Sequence, residues 1–294
     1  MTTRRAPSQW GDRVMALTTG MFAWSIPGLL VAILLSLMIA GWPALSQHGA
    51  EFVSGTVWAP VQGQYGALPA LYGTVVSSLI AIALAVPVAW GVASLLTEWC
   101  PPKLSRLIGS LVELLAAVPS IVYGMWGSMV LCPLLQSLLP KVFPSGTGIV
   151  SAGIVLALMI TPLITAMTRD AMQQISPLVK ESCYGLGGTS WETLRHVVFP
   201  SIRRSLAGAV VLGLGRALGE TMAVSFVIGN SVFLNLSPVQ QGTSIAALIS
   251  SQFSEAGDSQ RAALLALGLL LFIITTVVLA IARMIQRSGG QHSC

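Results

Sequence analysis

Six stretches of predominantly apolar residues, at roughly 21–42, 69–96, 107–131, 149–168, 205–228 and 262–285, decide what this chain can fold into. Each reaches about the 20 residues a helix needs to cross the hydrocarbon core of a bilayer. The rest of the chain offers no alternative. Only 9% of its residues are charged and 54% are hydrophobic, against about 25% charged in an ordinary soluble domain. No soluble surface can be built from that composition, so lipid is the solvent. In lipid every backbone polar group must be satisfied internally, and unbroken apolar runs of this length do so as helices rather than as the shorter strands of a barrel. The expected fold is an all-α membrane protein of about six transmembrane helices. Pro87, Pro119, Pro162, Gly213, Gly215 and Gly219 fall inside these stretches and are tolerated in membrane helices. The first stretch exceeds the h-region of a signal peptide and lacks a small-x-small cleavage site, so it reads as a retained helix.

The net charge of +5 matters through its distribution. With a cytoplasmic N-terminus, twelve of the fifteen Lys and Arg, among them Arg4, Arg5, Arg13, Arg283 and Arg287, fall on the inner face. Lys141 and Arg261 fall outside, and Arg216 lies within a helix. That bias reads as positive-inside, with both termini cytoplasmic, rather than as affinity for nucleic acid. The expected organisation is an N-terminal cytoplasmic tail, first transmembrane helix and outer loop over 1–68, a five-helix core over 69–285, and a cytoplasmic tail over 286–294. The core carries a cytoplasmic loop at 169–204. Outer segments 43–68, 132–148 and 229–261 read as connections rather than domains, and no internal repeat of secondary-transporter type is found.

Cys100, Cys132, Cys183 and Cys294 have no metal-ligand spacing, and Cys100 and Cys132 are expected on opposite membrane faces, so no disulfide or metal site is expected. The three histidines form no nucleophile–base set, and no catalytic residue is expected. No G-x-x-x-x-G-K-[ST] occurs. If ATP drives this protein, another subunit hydrolyses it, and this chain binds no cofactor.

The 169–204 loop has its own helical grammar. Ser176 can cap a helix with Pro177 at its first position, ending at the Gly185–Gly188 cluster. Thr189 or Ser190 can cap a second short helix, with Glu192 placed as in a capping box. Leu194, Val197 and Val198 then form an apolar strip, and Pro200 closes the element. The picture is two short helices meeting at a glycine bend, with an apolar knob and charges facing the cytoplasm; the plainer alternative is an ordinary solvated loop between helices.

The fifth stretch carries Arg216 near its middle and Glu220 one turn further on. A mid-membrane Arg costs about 2.5–3.5 kcal/mol on insertion scales, and an acid costs similarly. Two readings remain open and can coexist: an ion pair that locks helix packing, or groups lining an anion path. Arg matches phosphate oxygens bidentately. An ionised carboxylate only accepts hydrogen bonds, so Glu220 could favour phosphate, which keeps an O–H at neutral pH, over sulfate. Gly215 and Gly219 form a small-xxx-small pair for close helix approach. Glu113 either reaches the cytoplasmic interface or joins the path.

Glu181-Ser-Cys, Gly187 and Pro200 resemble the Glu-Ala-Ala loop of ABC-importer permeases, with Ser182 and Cys183 in place of the two alanines. The strings Tyr65-Gly-Ala-Leu-Pro, Leu71-Tyr-Gly-Thr, Glu113 to Gly127 and Gly213-Leu-Gly-Arg-Ala-Leu-Gly-Glu-Thr-Met-Ala-Val are similar to those of the C-type permeases of phosphate-specific transport systems. The resemblance implies type I ABC importer permease architecture in a bacterial inner membrane. It implies cytoplasmic ATPase subunits, a second homologous permease subunit and a periplasmic phosphate-binding protein as partners. It further implies Arg216, Glu220 and Thr221 on the substrate pathway, and Glu181, Gly187, Trp191, Glu192 and Pro200 in ATPase coupling. Permeases for molybdate or sulfate share the architecture, and a stand-alone secondary anion transporter is the reading from another class.

Overall fold

The structure is a computed structural model that describes residues 9–288, with side chains described from 10 to 284. Arg4, Arg5 and Cys294 lie outside the described residues, as does the Arg287 side chain. Among the described residues, six helices are long and apolar enough to cross a membrane.

Helix α1 (Gln9–Ser54) is longer than its apolar core and bends at Gly49, whose φ is 52°. Residues 43–54, expected as loop, continue the helix. They do so because Ala44 and Phe52 are buried against the last helix, where Gly41 lets the two backbones approach at Ala266. A short hairpin follows, β1 (Trp58–Ala59) against β2 (Gln64–Tyr65), turning through Gly63 with φ 70°. Helix α2 (Leu68–Trp99) buries Ala81, Ala85, Ala89 and Ala93, one small residue per turn along one face. That stripe and Gly153 let α2 lie close along α5 (Ile149–Gln173): a Cβ at Gly153 would stand 2.6 Å from Ile80.

The third expected stretch, 107–131, is not one helix. It divides into α3 (Pro102–Ala116) and α4 (Ser120–Leu138), and α4 is the span. Pro119 has no N–H to donate and drives Val118 out of the helical region, so the chain breaks before it. The 132–148 connection is correspondingly shorter, because Cys132–Leu138 is helical. Cys100, Cys132 and Cys183 are free thiols.

After α6 (Pro177–Gly185), helix α7 runs Ser190–Leu218. The second short helix of the loop therefore continues directly into the fifth span, and Pro200 does not end it. A π-turn at Leu194–Val198 widens the helix just before Pro200 and absorbs its missing hydrogen bond. The fifth stretch also ends early. Helix α7 stops at Leu218, residues 219–221 are non-helical, and α8 (Met222–Val227) resumes. Helix α9 (Ile245–Gln252), inside a segment expected as loop, starts where the Ser244 hydroxyl accepts the Ala247 N–H and the Thr74 hydroxyl of α2 accepts the Ile245 N–H. Helix α10 (Asp258–Ser288) is the last of the described elements.

Candidate functional site: a broken-helix cation and a docking element

Both helix breaks come together. Gly124 of α4 touches Ala223 of α8, a Cβ there lying 2.9 Å from the Ala223 α-carbon. Arg216, in the last turn of α7, lies within electrostatic reach of the Tyr123 phenol. The free backbone groups at each break are taken up locally. The Tyr123 hydroxyl donates to the Leu115 carbonyl at 2.8 Å, bridging the α3–α4 break. Glu220 accepts the Ala223 N–H at 3.3 Å and so caps α8. Because α7 ends at Leu218, Glu220 does not sit one turn beyond Arg216 on the same helix face.

Arg216 is exposed on the surface of this chain, and it forms no close ion pair with Glu220 or any other described carboxylate. Arg216 lines a groove of about 860 Å³ bounded by Leu37 of α1, Leu163 of α5 and Phe272, Thr275 and Leu279 of α10. Gly215 and Gly219 border the same groove. Gly215 faces Leu279 at an ordinary 3.4 Å for a Cβ, and Gly219 meets only its own helix. The tight approach belongs to Gly213, whose Cβ would stand 2.9 Å from Ile164. Thr221 is the N-cap of α8, and its hydroxyl reaches the Gly219 carbonyl at 3.5 Å. A smaller groove of about 360 Å³ is lined by Leu115, Val118, Val122, Tyr123, Trp126 and Leu158. Chemically, this face presents an unneutralised guanidinium beside two helix breaks.

Glu113 reaches Arg169 of α5 at 3.5 Å. The Arg169 guanidinium lies against Gly109 of α3, the position a side chain there would fill. Arg169 was not a candidate from sequence. The useful signal was a glycine on an otherwise polar helix face one turn before an acid.

The loop is built as its caps dictate. Thr189 donates its backbone N–H to Glu192 at 2.8 Å, and its hydroxyl accepts the Glu192 N–H, a complete capping box. Ser176 occupies the N-cap of α6 but makes no side-chain cap bond. Gly187 sits at φ 87°, a conformation in which L-residues are strained. Gly187→Ala is therefore expected to cost about 1–2 kcal/mol in the bend, read as a lower midpoint in thermal unfolding of the purified protein.

The apolar strip differs from expectation. Leu194 and Val198 are buried among Ala93, Met172 and Ile202, because they belong to a continuous membrane helix. The exposed apolar knob consists of Leu178, Trp191 and Leu186, the last 91% exposed, beside the exposed carboxylate of Glu181. Leu186 was legible as a large apolar residue inside a glycine bend, where no core requires it.

Residues 85–288 match the family described as the inner membrane component of binding-protein-dependent transport systems. Curated relatives are named phosphate transport system permease protein PstC. The Haemophilus influenzae protein is 45% identical over 94% of this chain and 93% of its own length. The Xylella fastidiosa protein is 47% identical over 87% of this chain and 84% of its own. Among solved structures, the bacterial alginate ABC transporter with its substrate-bound periplasmic protein includes a chain that matches with TM-score 0.66 at 16% identity, covering 97% of this chain and 99% of that one. The inward-facing methionine transporter MetNI matches with TM-score 0.57 at 18% identity, covering 78% and 94%. The architecture is thus that of a type I ABC importer permease in a multi-pass inner-membrane protein. On family match and relatives together, the chain belongs to the inner membrane components of binding-protein-dependent transport systems, within the PstC group.

Proposed function

We propose that this chain is one half of the translocation pathway of an ATP-driven inorganic phosphate importer. The observation that carries the reading is Arg216: a guanidinium at a helix break, without a carboxylate partner and open to a groove. A desolvated phosphate needs a counter-charge at that depth, and an already neutralised Arg would supply less of one. The names of the relatives support phosphate as the anion. Cytoplasmic ATPase subunits, supplied by other chains, dock on the loop around Glu181, Gly187, Trp191, Glu192 and Pro200. A second permease covers the Arg216 face, and a periplasmic binding protein delivers phosphate at the opposite side. Both termini are cytoplasmic, as the distribution of Lys and Arg supports. The transport core is 69–285, and the family match from residue 85 supports setting the first helix apart. The test is ATP-dependent uptake of radiolabelled phosphate by the complete complex in liposomes. Wild type imports, and absence of import with an ATPase-active complex overturns the reading.

Glu220 tunes the choice of anion. Its cap bond to Ala223 engages Oε1, which leaves Oε2 to accept the phosphate O–H. Glu220→Gln, which keeps the cap acceptor, is expected to reduce the preference for phosphate over sulfate about tenfold, the worth of one charged hydrogen bond. Competition uptake measures this, and an unchanged preference removes Glu220 from selectivity.

A further inference from the structure

The docking helix α6 is tied to the inner end of α2 by an ion pair. Lys180 of α6 donates from Nζ to Oε1 of Glu98 at 2.6 Å. The two side chains are only 19% and 8% exposed. Glu98 belongs to a five-residue π-turn, Leu95–Trp99, that ends α2. Such turns are rare and concentrate at functional positions.

The same turn holds two other elements. The Ser105 hydroxyl of α3 donates to the Leu96 carbonyl at 2.7 Å. The Thr97 hydroxyl reaches the Met172 sulfur of α5 at 3.5 Å. One turn therefore touches the docking helix, α3 and the inner end of α5. From Ser105, α3 runs unbroken to Ala116. The break that follows leads into Tyr123 of α4, the helix that packs on α8 through Gly124 and Ala223.

We propose that the Lys180–Glu98 ion pair is a transmission strut that makes the docking helix α6 and the inner ends of α2 and α3 move as one body. Lys180 and Glu98 are positioning residues and touch no substrate. The proposal rests on the reading that α6 receives the push of an ATPase. The chemistry suits transmission: a short, mostly buried, charge-assisted bond keeps its length under load, whereas apolar contacts can slide. Opening it leaves a carboxylate without its counter-charge in a poorly solvated place, so displacement of α6 carries Glu98 with it.

The experiment uses the complete complex of both permeases, ATPase subunits and binding protein in liposomes. It reads phosphate imported per ATP hydrolysed. Glu98→Gln keeps shape and removes charge. It is expected to lower this ratio on the order of fivefold, the usual scale for a coupling residue. Lys180→Arg, which keeps the pair, stays near wild type. The reversal Glu98→Lys with Lys180→Glu recovers most of the loss. A yield of assembled complex that falls while the ratio per complex holds marks a merely structural bond and overturns the proposal. Failure of the reversal to recover overturns it too.

A second readout does not depend on the anion. Spin labels at the exposed positions Leu107 of α3 and Val179 of α6, in a background without native cysteines, keep a constant separation through the ATP cycle in wild type and lose it in Glu98→Gln. Equal variation in both proteins overturns the strut. A wild-type complex that cycles with constant separation yet imports no phosphate overturns the phosphate reading and supports the strut.

Discussion

Arg216→Gln in the assembled complex is expected to reduce ATP-dependent phosphate uptake about a hundredfold, the kinetic equivalent of losing roughly 3 kcal/mol of charged hydrogen bonding. The amount of complex recovered should not change. Arg216 is exposed and makes no ion pair with a described carboxylate, so its removal leaves no buried partner stranded. That separation of transport from assembly distinguishes a pathway cation from a packing one. Steady-state uptake, normalised to ATPase content on purification, measures both quantities. Uptake within a few-fold of wild type in the glutamine variant removes the guanidinium from the pathway. Arg216→Lys should fall between the two, because a point charge replaces the bidentate fork.

The largest effect on stability is expected at Gly73 of α2. A Cβ there would fall on the Thr243 carbonyl just ahead of α9. The obstacle is backbone, and it is pinned from the other side: Thr74 accepts the Ile245 N–H at 2.9 Å. Gly73→Ala should therefore separate α2 from the start of α9 at a cost of about 3 kcal/mol, the upper range for overpacking. Gly91→Ala on the same helix meets no atom within 4 Å and is expected to leave stability unchanged or slightly raised. Thermal unfolding of the purified complex in detergent compares the two. Similar midpoints for both variants contradict the close approach at Gly73.

Much of the 169–204 loop was legible because its signals are local. A capping box needs only Thr189 and Glu192 three residues apart, and both bonds form. Gly187 stands where the bend needs a positive φ. What was not legible was the fate of the strip beyond it. Leu194 and Val198 look like an exposed apolar face in a short helix. They are buried because that helix continues into α7 and meets Ala93 and Met172. Continuation depended on a π-turn accommodating Pro200, which no local rule announces.

The site shows the same division. Arg216 was conspicuous because charge is expensive in hydrocarbon wherever it sits. Its relation to Glu220 is not the one helical spacing predicts, because the helix ends at Leu218, between the two residues.

Read alone, the amino-acid sequence places this chain in a membrane with about six crossings, sets a cation where cations are costly, and builds a capped loop over 169–204. Those properties follow from composition and from contacts a few residues apart. Where the helices break depends instead on packing between distant parts of the chain. Pro87 and Pro162 remain inside α2 and α5, whereas the chain breaks at Pro119 and again after Leu218. In hydrocarbon a helix can break only where another group satisfies the freed backbone. The Tyr123 hydroxyl and the Glu220 carboxylate do that at those two places, and the packing of α4 against α8 brings the two breaks together beside Arg216.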